Sequence, residues 1–87
     1  MKFVDEFVFR EDRFFIGTET FPGRHYISIP VANPYVEYEE YYKIDDADYR
    51  NCPGNVEDLR KIVEKCRARL NDDNLMLKPG RLRGSPV

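Results

Sequence analysis

Residues 14–31, Phe14-Phe15-Ile16-Gly17-Thr18-Glu19-Thr20-Phe21-Pro22-Gly23-Arg24-His25-Tyr26-Ile27-Ser28-Ile29-Pro30-Val31, read as two strands joined by a turn. Both runs are rich in β-branched and aromatic side chains, which suit a pleated, half-buried surface. Between them Pro22 presets φ for the second turn position and Gly23 accepts a positive φ at the third. His25, Ile27, Ile29 and Val31 alternate onto one face, and Asn33-Pro34 ends the run. Upstream, residues 3–9 place Phe3, Asp5, Phe7 and Phe9 on one side and Val4, Glu6 and Val8 on the other, with Arg10-Glu11-Asp12-Arg13 as the turn that follows. Downstream, residues 35–44 alternate over ten positions. Val36, Tyr38, Glu40, Tyr42 and Ile44 share one face, and Tyr35, Glu37, Glu39, Tyr41 and Lys43 the other. Sequential strands with short connections predict an antiparallel meander over residues 1–44.

Such a sheet needs an apolar cover. Val56, Leu59, Ile62, Val63, Cys66 and Leu70 form one stripe of 3.6-residue period, which predicts a helix over 55–71. Asn55 suits its N-cap, Glu57 and Asp58 the positive first turn, and Arg67 and Arg69 the negative last turn. Residues 75–78, Leu75-Met76-Leu77-Lys78, read as a short strand, and 79–87 as a tail. A chain of 87 residues buries only about 60% of its unfolded surface, so residues 1–87 are expected to form one domain around one core. The predicted class is α+β, with a four- to five-stranded, mostly antiparallel sheet and one amphipathic helix packed on one face.

Composition narrows the function. With 41% hydrophobic and 34% charged residues, the chain has no apolar run near the roughly 20 residues a membrane helix needs. Met1-Lys2-Phe3-Val4-Asp5-Glu6 reaches acids at once, so neither a secretory signal nor a transit peptide is expected, and the expected location is cytoplasmic. Cys66 would lie about 15 Å along the helix from its start, too far for the short link after Cys52 to double back, so two free thiols are expected. Without a Cys-x-x-Cys pair and with one histidine, the chain is expected to hold no metal and no cofactor. His25 lacks an evident partner or cleft, nothing pairs Cys52 with it, and phosphate-cradling glycine loops are absent. No catalytic residue is assigned and no enzyme is expected.

Charge is divided along the chain. Residues 1–58 carry seven more acids than bases, and residues 59–87 five more bases than acids. Glu37, Glu39, Glu40, Asp45, Asp46 and Asp48, interleaved with tyrosines and offset by Lys43 alone, form the acidic extreme. Like charges so close along a strand work against a sheet, which suggests selection for something besides folding. Tyrosine supplies rigid contact area with a polar tip, and a negative field steers a basic partner. Tyr35, Glu37, Glu39, Glu40, Tyr41, Tyr42, Asp45 and Asp46 are therefore the expected partner-binding residues, and the expected partner is a protein with a basic cleft. The basic end supports an alternative, nucleic-acid binding through Arg60, Lys61, Arg67, Arg81 and Arg83, although no helix-turn-helix, zinc finger or RNP-type signature accompanies it. A further possibility is that Arg81 and Arg83 close onto the chain's own carboxylates. Self-association through a free sheet edge is a third reading.

The segment Val36-Glu37-Tyr38-Glu39-Glu40-Tyr41-Tyr42, in a small single domain, resembles the bacterial immunity proteins that neutralise cognate toxins in contact-dependent inhibition and related polymorphic-toxin systems. Colicin-nuclease immunity proteins are similar in carrying an adjacent tyrosine pair among carboxylates, here Tyr41-Tyr42 beside Glu39 and Glu40. The resemblance covers less than a tenth of the chain, and those proteins are helical bundles, so it implies no common ancestry. It implies a non-catalytic inhibitor of a bacterial toxin, such as a nuclease, with Glu39, Glu40, Tyr41 and Tyr42 at the interface.

Overall fold

The computed structural model describes residues 2–87. Strands β1 (Phe3–Phe9), β2 (Phe14–Glu19), β3 (His25–Ala32) and β4 (Glu37–Lys43) lie side by side in chain order, each antiparallel to the next. Two helices follow, α1 (Asp46–Asn51) and α2 (Val56–Arg67), and then a fifth strand, β5 (Ser85–Pro86). The class is α+β, with a five-stranded antiparallel sheet. Gly23 takes the positive φ (94°) that the β2–β3 turn requires. No helix among the described residues is long and apolar enough to cross a membrane.

Alternation sorts the sheet into two faces. Phe14, Ile16, Ile27, Ile29, Val31, Tyr42 and Ile44 point to one side and meet Leu59, Val63 and Cys66 of α2 in a single core. Each such apolar side chain, fully buried, favours folding by about 1.5–3 kcal/mol before entropy is counted. Phe7 and Phe9 join this core, but Phe3 and Asp5 do not, contrary to the simple alternation of residues 3–9. The register slips between Asp5 and Phe7, so that Asp5 opposes Gly17 and Phe7 opposes Ile16. This β-bulge at Glu6 turns the first half of β1 over.

Several boundaries differ from the expected ones. Strand β4 begins at Glu37 rather than Tyr35, because the Asn33 side-chain oxygen accepts hydrogen bonds from the backbone N–H groups of Tyr35 (2.8 Å) and Val36 (2.9 Å) and holds both in a turn. Helix α2 stops at Arg67. Arg69 enters the left-handed region (φ 59°), Leu70 N–H donates to Lys65 C=O at 2.8 Å, and Arg69 N–H donates to Cys66 C=O at 3.1 Å. That is a Schellman ending with arginine where glycine is usual, and it leaves Leu70 exposed instead of on the stripe. Helix α1 occupies the acidic stretch expected to be a connection. Six residues seldom hold a helix alone; here Tyr49 anchors it, stacked on His25 with ring centroids 3.7 Å apart.

Residues 75–78 form one antiparallel bridge, Leu75 with Tyr42, rather than a strand. The tail expected over 79–87 instead returns to the body. Strand β2 pairs with the first half of one edge of β3, and β5 takes over that edge at Val31 and Ala32. Gly84 lies so close to the Ala32 backbone that a Cβ there would stand 2.8 Å from the Ala32 nitrogen. Its N–H donates to the Tyr38 hydroxyl (2.7 Å) and its C=O accepts from Arg69 (3.2 Å).

Candidate protein-binding face

Both helices pack on the core side, so no helix among the described residues covers the other face of the sheet. Phe3 and Tyr41 stack there with centroids 3.8 Å apart, and Tyr26 meets both rings edge-on. The Tyr26 hydroxyl donates to Asp5 at 2.5 Å. Burial, that bond and the Asp5 charge push the Tyr26 hydroxyl well above its ordinary pKa, so it remains a donor. Beside this aromatic group lie Glu37 and Glu39, cross-strand from Ala32 and Pro30. Burial, with the nearby charges of Asp5 and Glu37, pushes the Glu39 carboxyl up to about 7. Its Oε2 is buried with no hydrogen-bond partner, as is the Ser28 hydroxyl on the same face. Three carboxylates and two aromatic rings thus share one uncovered surface, and none of the three carboxylates forms an ion pair among the described residues.

The expected binding set does not sit together. Glu37, Glu39 and Tyr41 are on this face, whereas Glu40 and Tyr42 point into the core side, 6% and 0% exposed. Arg83 folds onto Glu40, with Nε 2.8 Å from Oε2, and binds Asp72 through two contacts of 2.8 Å. These carboxylates raise the Arg83 pKa, Asp72 most, and Asp72 is held below its usual range in return. The Tyr42 hydroxyl donates to Glu40 at 2.7 Å. Glu40 and Tyr42 are therefore one end of an internal clamp, not a docking surface, because a paired and buried carboxylate offers no charge to a partner. Tyr35 stands in the β3–β4 turn, 82% exposed, and Asp45 and Asp46 lie at the start of α1.

The basic alternative is dispersed as well. Arg60 binds Asp12 at 3.0 Å and Glu57 at 3.3 Å, and Arg67 donates to the carbonyls of Asp12 and Arg13. With Arg83 in the clamp, Lys61 and Arg81 are the members of that set left exposed, with no ion pair among the described residues.

Sequence reading missed the surroundings of His25. Thr18 donates to Glu6 at 2.6 Å, its oxygen lies 3.0 Å from His25 Nδ1, and the Tyr49 hydroxyl donates to Glu6 at 2.8 Å. These bonds, Thr18 foremost, hold Glu6 below the ordinary carboxylate range. His25 Nε2 lies 3.7 Å from Asp46. Since the Thr18 proton is directed at Glu6, His25 Nδ1–H donates to the hydroxyl and does not serve as its base. The cluster ties α1 to the sheet. Cys52 and Cys66 carry free thiols. Burial raises both, Cys66 to about 11, away from nucleophilic use. No group of three or more metal-ligating side chains occurs among the described residues. No family model, curated protein or solved structure matches the chain, so its reading rests on the uncovered face itself.

Proposed function

We propose that this protein is a non-catalytic binding domain of the inhibitor type, which engages a cationic protein surface, such as the basic cleft of a nuclease toxin, through the uncovered face of its sheet. The observation that carries the reading is that Asp5, Glu37 and Glu39 share a face with the Phe3–Tyr41 stack and form no ion pair among the described residues. Unpaired carboxylates at a half-dry surface gain most from a guanidinium or ammonium supplied by a partner. Aromatic rings already held in place lose little entropy on binding. The internal engagement of Arg60, Arg67 and Arg83 weighs against nucleic acid as the partner.

The test is affinity capture with the immobilised chain from its source cell, followed by titration of the purified captured protein. Tyr41→Ala is expected to weaken binding by about 2 kcal/mol. Asp5→Asn and Glu37→Gln are expected to slow association and flatten its salt dependence. Lys61→Ala, on α2, is expected to change nothing. Full affinity in the three face variants, or a loss confined to Lys61→Ala, overturns the reading.

A further inference from the structure

At the end of the sheet away from Tyr26, the uncovered face sinks into a groove of ≈ 610 Å³ floored by Val8, Phe15 and Pro30. Arg10 and Arg13 stand on one rim and Glu37 and Glu39 on the other. The first rim is the β1–β2 turn, and α2 holds that turn from behind: Arg60 binds the Asp12 carboxylate, and Arg67 binds the carbonyls of Asp12 and Arg13. One acid of the turn, Asp12, is thereby drawn to the helix side; the other, Glu11, is exposed and does not line the groove, which takes the two arginines. Neither guanidinium and neither rim carboxylate forms an ion pair among the described residues. At the backbone, three inter-strand spacings, about 14 Å, separate Arg10 beside β1 from β4, and two, about 10 Å, separate Arg13 beside β2.

A face positive along one edge and negative along the other, with an apolar floor between, is complementary to itself. Rotation by a half-turn about an axis above the groove, parallel to the sheet and to its strands, brings each arginine rim over the glutamate rim of a second copy. A singly charged ligand would satisfy one rim and strand the other. We propose that this groove is an isologous dimer interface, in which Arg10 and Arg13 of each copy pair with Glu37 and Glu39 of the other across the Val8–Phe15–Pro30 floor. The groove end of the four strands, about 19 Å by 10 Å, is roughly 190 Å² per copy, well below a stable interface and therefore a weak and reversible contact held mainly by its charge pairs. The inference rests on the reading of this face as an interface and adds a control to it. The dimer covers Glu37 and Glu39, so a cationic partner must displace the second copy, and partner binding is coupled to dissociation.

Sedimentation equilibrium tests it. From roughly 10 µM to 1 mM, the range of weak contacts, the average mass should climb from the 10.3 kDa of one chain toward twice that value. Arg10→Glu/Arg13→Glu and Glu37→Arg/Glu39→Arg should each stay monomeric throughout. Their equimolar mixture should regain the dimer, which also shows that both variants fold; Glu37→Arg alone, at an exposed position, replaces the second variant if it does not. A monomeric wild type at the highest concentration, charge-reversed variants that associate like wild type, or a mixture that stays monomeric would each overturn the dimer. The two readings fail separately. A monomeric wild type whose captured partner still depends on Tyr41 removes the dimer alone, whereas a charge-dependent dimer whose captured partner ignores Tyr41, Asp5 and Glu37 removes the partner reading alone.

Discussion

Replacing Arg83 with methionine keeps a long apolar stem and removes the guanidinium that holds Glu40 and Asp72. Asp72 is 43% exposed and rehydrates, but Glu40 is 6% exposed and does not. Orphaning one partner of a buried pair costs about 3–5 kcal/mol. A second bound comes from chemistry: an orphaned carboxylate escapes by taking a proton, which at pH 7 costs a carboxyl of ordinary acidity about 3.7 kcal/mol. The two bounds converge on a loss of about 3 kcal/mol at pH 7 for Arg83→Met. Because the escape becomes easier with acid, the loss should shrink to about 1 kcal/mol at pH 5. Glu40→Gln in the same chain removes the orphaned charge, keeps an acceptor for the Tyr42 hydroxyl, and should restore about 2 kcal/mol at pH 7. Urea denaturation of the three proteins at both pH values reads all of this from the midpoints and slopes. A loss below about 1 kcal/mol at pH 7, an equal loss at both pH values, or no recovery by Glu40→Gln refutes the assignment of Arg83 as the counter-charge of Glu40.

Three other outcomes are expected. Glu39, with its carboxyl raised to about 7, contributes stability that is fully present below its unfolded value and is lost as pH rises through the folded one. The shift is nominally worth about 3 kcal/mol, which solvent at an open face reduces to about 1–2, so Glu39→Gln should stabilise by that amount near pH 8.5 and have little effect near pH 4. Thermal unfolding at both pH values checks it, and a pH-independent difference would refute the cause given. Gly84→Ala should drive its Cβ into the Ala32 backbone, which cannot give way, costing about 2 kcal/mol as read from the urea midpoint; an unchanged midpoint would refute the close approach. A thiol-specific disulfide reagent should label Cys52 first and Cys66 only on unfolding, since Cys66 is 1% exposed; equal rates in the native protein would place Cys66 outside the core.

The meander and the covering helix were legible because both are local. The β2–β3 hairpin rests on alternation and a Pro-Gly turn, and α2 on a stripe of apolar residues. Glu40 and Tyr42 share their alternation phase with Ile44, so their burial was readable too; their partner Arg83, far along the chain, was not. What the sequence withheld depends on contacts between distant positions. The bulge at Glu6 appears only in register with β2, and it moves Phe3 and Asp5 beside Tyr41. Helix α1 has weak propensity and stands on Tyr49 against His25. The end of α2 at Arg67 lacks the usual glycine signal. The return of the last residues onto β3 needs the Arg83 clamp, β5 and the fit of Gly84 together, none of which leaves a periodic trace.

The sequence separation of 43 between Glu40 and Arg83 sets an order on the maturation of a nascent chain. All four long strands have been synthesised well before residue 83 clears the ribosome, yet one carboxylate on their inner side stays without its cation until then. Until Arg83 emerges, a buried position of the sheet lacks the counter-charge that holds it in the folded chain.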